Sequence, residues 1–244
     1  MDKQTTKRFV ISDPHGFYSE LAAALDRAGY DSNDPTHLLI CLGDVFDRGT
    51  EQKPLLDFFL SVENKVMIRG NHDARLAALL EGARFESYDK VNGTIKTLEG
   101  FFGRLATSKG SLRVGKEDET VAKIKRLLAD MVNYYEWGDY IFTHGWLPVD
   151  DALPPVVLPD WRNASSEAWE DAQWAEWQQF YGKVALPEGK TLVCGHRSAN
   201  LGHLFDPTRF ADDYTPFYGD HLIALDACTA RSGVVNVLVL EGDD

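Results

Sequence analysis

Six side chains with oxygen or nitrogen donors each stand just beyond a predicted strand. They are two aspartates, an asparagine and three histidines, namely Asp13, His15, Asp44, Asn71, His144 and His196. Carboxylate, amide oxygen and imidazole suit Mn, Fe, Zn or Co, whereas an all-thiolate set would favour zinc or an iron–sulfur cluster. Six donors are too many for one ion that must keep open coordination positions for water or substrate. They suffice for two ions about 3.5 to 4 Å apart that share a bridging carboxylate and clamp both oxygens of an in-line displacement.

The histidines are the strongest indication of a metal site, because four of them have the same sequence neighbourhood. Four of the seven histidines follow a predicted strand and have glycine beside them or within one residue before, namely His15, His72, His144 and His196. Taken singly, Gly-Asn-His is an ordinary helix start with Asn71 as N-cap. The coincidence favours the two-metal interpretation, since glycine lets backbone and substrate approach closely. The remaining histidines are expected in packing or surface roles, namely His37, His203 and His221.

Hydrophobic patterning indicates the elements that position these residues. Short apolar runs rich in β-branched residues alternate with helical patterns in the first third of the chain, which is typical of βαβ units with a buried sheet. We predict strands at 8–11, 37–42 and 65–68 and helices at 19–28, 51–62 and 74–80. Ligands in open α/β sheets bind outside the carboxyl ends of the strands. Three consecutive strands therefore deliver polar groups to one rim of a sheet.

The rest of the chain is less regular until its end. Residues 85–119 break into glycine and polar residues and are predicted to be a variable loop or cap. A helix is predicted at 121–132 and a hairpin at 134–142, around the Gly138-Asp139 dipeptide. An aromatic series at near-helical spacing is expected to serve in packing, namely Trp169, Trp174, Trp177 and Phe180. Strands return at 191–194, 221–226 and 234–240. No linker is visible, so 1–244 is predicted to be one domain.

Charge and composition limit the partners. The 244 residues include 38 acidic and 25 basic side chains, a formal charge of −13. Nucleic-acid backbones and anionic membranes attract basic segments, so neither is expected as a partner. No secretory signal or apolar stretch of about 18 to 20 residues is visible, which predicts a cytoplasmic protein. Three cysteines lie far apart in apolar stretches and are expected to be buried, reduced thiols, namely Cys41, Cys194 and Cys228.

Together, the polar clusters resemble the calcineurin-like metallophosphoesterase superfamily. The matching segments are Asp13-Pro-His15-Gly, Gly43-Asp44-Val-Phe-Asp47-Arg48-Gly49, Gly70-Asn71-His72-Asp73, His144-Gly and Gly195-His196. The Asp-Arg-Gly of the middle motif is typical of phosphoprotein phosphatases of bacterial and bacteriophage lambda type and of symmetric diadenosine tetraphosphatases. The resemblance implies an α/β fold in four layers (α/β/β/α), a sandwich of two mixed β-sheets flanked by helices.

The resemblance also implies a ligand set for two divalent transition metals. Manganese is the first expectation, with iron, zinc, cobalt or nickel as alternatives. Asp44 would bridge the two ions, the first held also by Asp13 and His15, the second also by Asn71, His144 and His196. A hydroxide that bridges them would attack phosphorus directly, without a covalent enzyme intermediate.

Further roles are implied by the same resemblance. His72 would be the general acid, oriented by Asp47, because an imidazole titrates near the operating pH. Arg48 and Asn71 would contact the phosphate, and the planar fork of arginine matches two of its oxygens. The family's second phosphate-binding arginine is assigned to Arg162, with Arg197 as the alternative. Ser12 stands where the first motif of the family usually has glycine, Pro14 occupies its variable position, and neither removes a ligand.

The sequence therefore predicts a metal-dependent phosphatase. Its substrates would be phosphomonoesters, either phosphoserine and phosphothreonine in proteins or small phosphate esters. One alternative is a symmetric dinucleoside-polyphosphate hydrolase, which would use the same ligands. The other is a metal-binding interaction module without catalysis. The sequence leaves the oligomeric state and the physiological substrate open.

Overall fold

The computed structural model describes residues 5–107, 110–115, 117–205 and 212–242. The strands of this part of the chain are β1 (Thr6–Ile11), β2 (His37–Cys41), β3 (Lys65–Met67), β4 (Tyr134–Trp137), β5 (Tyr140–Thr143), β6 (Thr191–Cys194), β7 (Phe217–Gly219), β8 (Leu222–Ala224) and β9 (Val237–Gly242). Its α-helices are α1 (Tyr18–Ala28), α2 (Gln52–Ser61), α3 (Asn71–Leu80), α4 (Ser87–Asn92), α5 (Thr94–Phe102), α6 (Glu119–Ala129), α7 (Ser166–Trp174), α8 (Trp177–Phe180), α9 (Asn200–His203) and α10 (Thr229–Ser232).

The strands form two mixed sheets. In the first sheet the order is β3-β2-β1-β9, with β1, β2 and β3 parallel and β9 antiparallel to β1. In the second sheet the order is β4-β5-β6-β8-β7, with β5, β6 and β8 parallel and the two edge strands antiparallel to their neighbours. The polar clusters follow parallel strands, namely β1, β2 and the edge strand β3 in the first sheet and β5 and β6 in the second.

Alternating residues of each strand enter different hydrophobic cores, because successive side chains point to opposite faces of a sheet. In β1, Phe9 and Ile11 pack into the core under α1, α2, α3, α5 and α6. Val10 instead packs between the sheets against residues that include Phe142 and Val193 of the second sheet. A third core lies between the second sheet and the tryptophan-rich helices α7 and α8. Three cores between layers confirm the predicted four-layer α/β/β/α sandwich.

The segment 85–119 is more regular than the predicted loop or cap. It contains α4, α5 and a 3₁₀ turn at Arg104–Thr107, while residues 108, 109 and 116 lie outside the described part. The buried positions Thr94, Thr97, Leu98 and Phe101 of α5 follow helical spacing. Gly93 and Gly103 border this helix. Its hydrophobic pattern is therefore too short to predict a helix from the sequence. Asp89 of α4 is buried and forms a bidentate ion pair with Arg75 of α3, at 2.6 and 2.7 Å.

The aromatic series divides between packing and exposure. Trp169 and Trp177 are buried in the outer core of the second sheet and Phe180 is half-buried, as predicted. Trp174 differs, because 51% of its surface is exposed. The helical pattern breaks after Trp174, where Ala175 is extended and ends α7.

Two smaller expectations concern the cysteines and membrane-spanning helices. All three cysteines are free thiols, with Cys41 and Cys194 buried and Cys228 half-buried. Across the described part of the chain, none of the helices combines the length and the apolar character that crossing a bilayer requires.

Candidate active site

The polar clusters meet where the carboxyl ends of parallel strands from both sheets come together. Asp13 and His15 follow β1, and Asp44 follows β2. Asn71 and His72 are the first residues of α3, which begins four residues after the end of β3. His144 follows β5, and His196 follows β6. The structure thus brings together all six predicted ligands. Five are buried and His196 is half-buried.

Asp44 lies at the centre of this cluster. Its Oδ2 lies 3.6 Å from His15 Nε2 and 3.7 Å from His72 Nε2, while its Oδ1 lies 3.3 Å from His144 Nε2. Two donor sets therefore share Asp44, one with His15 and His72 and one with His144 and His196, and the atoms of each set lie within 4.8 Å of one another. A carboxylate with one oxygen toward each set is placed to bridge two ions.

Unpartnered buried atoms indicate that the cluster fits cations. Asp13 Oδ2 and His15 Nε2 are 3.8 Å apart, and neither has a hydrogen-bond partner within the described ranges. Asn71 Oδ1 lies 3.0 Å from His144 Nε2, so the amide oxygen faces the second set. Buried polar atoms are normally paired, and a carboxylate and an imidazole that are both unpaired can be satisfied by one positive ion. The donor chemistry and the geometry agree with a divalent metal.

Burial and neighbouring charge shift the protonation of these ligands strongly. Burial raises the pKa of Asp13 well above its usual range. Burial lowers the pKa of His15 well below its usual range and that of His196 to about 3, so both rings are neutral, as metal ligation requires. Burial also lowers the pKa of His144, but the carboxylates of Asp44 and Asp13, together with the Leu42 carbonyl, outweigh it and raise this pKa to about 10. Such opposed shifts in one buried cluster are typical of functional sites.

Backbone strain is concentrated in the same loops. Eight non-glycine residues of the described chain have positive φ, and six belong to the predicted site: Asp13, His15, Asp44, Asp47, Arg48 and His196. A left-handed conformation costs of order 1 to 3 kcal/mol for such residues and persists only where the surroundings enforce it. The polar loops are therefore held in shape by the rest of the fold.

Two of the glycines beside the histidines are required for close approach. A Cβ on Gly195 would collide with Ser12 Oγ and the Asp13 carboxylate. A Cβ on Gly70 would collide with the Asp44 carboxylate. The lack of a Cβ at these two positions lets both carboxylates reach the cluster, which explains the glycines before Asn71 and His196.

His72 is held by a buried acid and faces the cluster. Its Nδ1 lies 2.6 Å from Asp47 Oδ2, the same oxygen that accepts a 2.6 Å hydrogen bond from Thr94 Oγ1. The Asp47 amide donates to Thr97 Oγ1 at 2.9 Å. Burial lowers the pKa of His72, but the carboxylates of Asp44 and Asp47 outweigh it and leave the net pKa raised. Helix α5, from the segment expected to be a loop or cap, thus positions the acid that orients His72.

Removing the Thr94 hydroxyl tests this arrangement. We expect Thr94→Val to lower kcat about 10- to 100-fold, because a hydrogen bond to a charged group is worth roughly 1.5 to 3 kcal/mol. Thr94→Ser keeps the hydroxyl and should restore most of the rate. Steady-state kinetics of both variants, with thermal unfolding as the control, provide the check. Equal losses in the two variants would mean that Thr94 acts through packing alone.

Two buried aspartates near the cluster were not assigned roles from the sequence. Asp73 accepts hydrogen bonds from the amides of Gly70, Asp44 and Val45, at 3.0, 2.8 and 3.1 Å, and so ties α3 to the Asp44 loop. Asp226 follows β8, and its charge helps to raise the pKa of Asp13 after the larger effect of burial. Asp226 stands after a parallel strand as the predicted ligands do, but the strand predicted at 221–226 places it inside the strand, whereas β8 ends at Ala224.

The arginines differ in their availability. Arg48 is half-buried, and no described residue forms a hydrogen bond or ion pair with its guanidinium. Burial lowers the pKa of His15, and the Arg48 charge lowers it further. Burial raises the pKa of Asp226, and the Arg48 charge opposes this rise, which locates Arg48 beside the cluster. It is therefore available to an anion at this position.

Arg162 and Arg197 are both engaged by carboxylates. Arg162 Nε and Nη2 donate to the two oxygens of Glu136 on β4, at 2.6 and 2.8 Å, and its guanidinium lies over Trp161. The Arg162 guanidinium is thus bound to the Glu136 carboxylate at the protein surface. The structure does not bring Arg162 to the cluster. Arg197 directly follows His196 and forms a 3.4 Å ion pair with Glu176. Of the two candidates for a second phosphate-binding arginine, Arg197 lies closer along the chain to a cluster residue.

Comparison with known proteins identifies the family of this chain. The model of the calcineurin-like phosphoesterase family matches residues 6–222. The asymmetrical bis(5'-nucleosyl)-tetraphosphatase PrpE of Bacillus subtilis is 25% identical over 214 residues, which cover 78% of this chain and 81% of the relative. PrpE of Bacillus velezensis is 28% identical over 153 residues, 58% of this chain and 57% of the relative.

Other similarities are shorter or structural only. A symmetrical bis(5'-nucleosyl)-tetraphosphatase of Buchnera aphidicola is 36% identical over 72 residues, only 29% of this chain and 25% of the relative. A protein serine/threonine phosphatase structure from Saccharomyces cerevisiae has a TM-score of 0.54 at 15% identity and covers 98% of this chain and 81% of its own. A cold-active protein-tyrosine phosphatase from a Shewanella species has a TM-score of 0.52 at 15% identity, with coverages of 96% and 75%. At these identities the structures establish a common fold.

Proposed function

Because the chain belongs to the calcineurin-like phosphoesterase family, we propose that it is a metal-dependent phosphoric ester hydrolase that acts on phosphomonoesters. Two divalent ions, manganese foremost, would be held by the buried cluster. Asp44 would contact both, with Asp13 and His15 on one side and Asn71, His144 and His196 on the other. When bound, the ions supply positive charge to the phosphate and activate water for attack at phosphorus.

The chain's own residues supply the remaining functions. Arg48, which is free of carboxylate partners in the described chain, binds two phosphate oxygens through its planar fork. The carboxylate of Asp47 holds His72 Nδ1, so His72 Nε2 is the atom that carries the transferable proton. That atom gives its proton to the oxygen of the leaving group as the ester bond breaks.

The buried pair of His72 and Asp47 is the observation that carries the proposal for monoesters. An alkoxide, such as the side-chain oxygen of serine or threonine, leaves poorly unless it is protonated as the bond breaks. A nucleotide released from a phosphoanhydride leaves far more easily and needs an acid less. An imidazole held by a buried acid therefore matches esters with poor leaving groups.

A second candidate substrate is a bis(5'-nucleosyl) tetraphosphate. The names of the relatives favour it, since both the PrpE proteins and the Buchnera protein are named for this activity. The same metal ligands and Arg48 would serve in its hydrolysis. The non-catalytic module is disfavoured, because binding alone needs neither an acid at His72 nor an orienting carboxylate at Asp47.

Metal analysis and one panel of substrates test these proposals. We expect the protein, loaded with Mn²⁺ and dialysed, to retain two equivalents of metal and to hydrolyse an aryl phosphomonoester. The panel compares that ester with a phosphodiester, a phosphoserine peptide and diadenosine tetraphosphate. Preference for the tetraphosphate would favour the second candidate. Retention of both ions with no activity on any of the four would favour the interaction module.

A further inference from the structure

Trp174 is exposed beside the cluster of predicted metal ligands. Its ring centroid lies 6.0 Å from that of His196, with the two planes at 84°, yet half of its surface is open. We propose that Trp174 is a stacking platform for a nucleobase, which makes nucleotides the preferred phosphoesters. This inference rests on the proposed hydrolase function and names the substrate class of that same site.

The backbone fixes Trp174 next to the cluster. A Cβ on Gly145 would approach the carbonyl oxygens of Ala172 and Ala175 at 2.5 and 2.8 Å, so the end of α7 packs directly on the residue after His144. The Trp146 amide also donates to Ala172 O at 2.9 Å. The end of α7 is thus joined to the loop that carries a metal ligand. A rigid aromatic surface loses little entropy when a planar ligand stacks on it, which favours binding.

A groove continues from Trp174 away from the cluster. It has a volume of about 830 Å³ and runs between residues 147–151 and the helices α7 and α8. Leu147, Leu158 and Phe180 supply apolar surface along it. The groove adjoins the cluster at two neighbouring residues, since Trp174 contacts His196 and Glu176 pairs with Arg197. A ligand with its phosphate at the cluster can therefore extend into the groove without leaving the protein surface.

The charge of the groove selects which end of a nucleotide enters it. Its rim carries Asp150, Asp151, Glu167, Asp171 and Glu176, and no lysine or arginine is among its described lining residues. Carboxylates repel phosphates, so the phosphates must point to the cluster and to Arg48. The same carboxylates accept hydrogen bonds from exocyclic amino groups, which adenine, guanine and cytosine carry. The neutral base therefore fits the groove, while the phosphate chain does not.

A matched substrate pair isolates the contribution of the base. AMP and ribose 5-phosphate are both alkyl phosphomonoesters and differ by the adenine ring. We expect the unaltered protein to show a KM about 10-fold lower for AMP, because stacking on an aromatic side chain contributes on this scale. Trp174→Ala should remove most of this difference and Trp174→Phe should keep part of it. Tyr218→Ala, at an exposed aromatic of β7, is the control and should leave the difference intact.

The possible outcomes separate this inference from the proposed function. Hydrolysis of both esters without an adenine preference, or a preference that Trp174→Ala leaves unchanged, would overturn the inference and leave the hydrolase standing. If no ester is hydrolysed, the proposed function fails, and calorimetric binding of AMP to the unaltered protein and to Trp174→Ala decides the inference by itself. The inference would also be overturned if Trp174→Ala lowered kcat/KM more for a basic phosphoserine peptide or a phosphotyrosine peptide than for AMP. That result would favour a peptide as the ligand of the groove.

Discussion

Replacing Asp44 with asparagine is expected to lower kcat/KM by at least about 10³-fold and to remove most of the bound metal. Changing residues that only orient metal ligands costs about 10- to 100-fold, so a ligand common to both ions should cost more. Asp44 belongs to both donor sets. An amide offers one acceptor oxygen and no charge, so it cannot replace an oxygen toward each set.

The substitution should leave the surrounding fold intact. Asp44 Oδ1 accepts a 3.0 Å hydrogen bond from the His72 amide, and the oxygen of asparagine can keep this bond. Asp226→Asn is the matched control, because it removes one buried carboxylate from the same region and is not one of the six predicted ligands. We expect this control to keep two equivalents of metal after dialysis. Full metal occupancy in Asp44→Asn would contradict a bridging role.

The strands other than β7, and the residues that meet in the cluster, were predictable from the sequence for the same reason. Buried parallel strands appear as short apolar runs, and each run ends where the chain becomes polar. Alternation then fixes the faces, as Phe9, Val10 and Ile11 show by entering different cores. Because the carboxyl ends of parallel strands lie at one edge, the polar residues immediately after each apolar run are the ones that form the cluster. This relation holds without any knowledge of distant contacts.

The contacts that orient the cluster were not predictable in this way. Thr94 lies 47 positions from Asp47, and a threonine in a short helix carries no signal that it will donate a hydrogen bond to the Asp47 carboxylate. The exposure of Trp174 depends on where α7 ends, which periodicity does not show. The position of Arg162 between the two late histidines predicts a phosphate-binding role, but its partner is Glu136 on β4. Each of these outcomes depends on packing between elements that are distant in the sequence.

Replacing His72 with asparagine is expected to lower the rate for alkyl phosphates about 10²- to 10⁴-fold, the usual contribution of a general acid. The loss for an activated aryl phosphate should be much smaller, since its leaving group departs without a proton. The substrates are β-glycerophosphate and p-nitrophenyl phosphate, compared by kcat/KM. Equal losses on the two esters would remove His72 from the role of acid.

The same variant decides between an acid and a metal ligand at this position. His72 Nε2 lies 3.7 Å from Asp44 Oδ2 and belongs to the first donor set, so its geometry also permits ligation. If His72 is a metal ligand, His72→Asn should lower both the metal content and the rate on every substrate. If His72 is a general acid, the variant should retain both ions. His221→Asn is the matched control, because His221 is exposed at a φ of 55°, a conformation that asparagine tolerates well. Two retained ions together with a loss confined to poor leaving groups would assign the proton to His72.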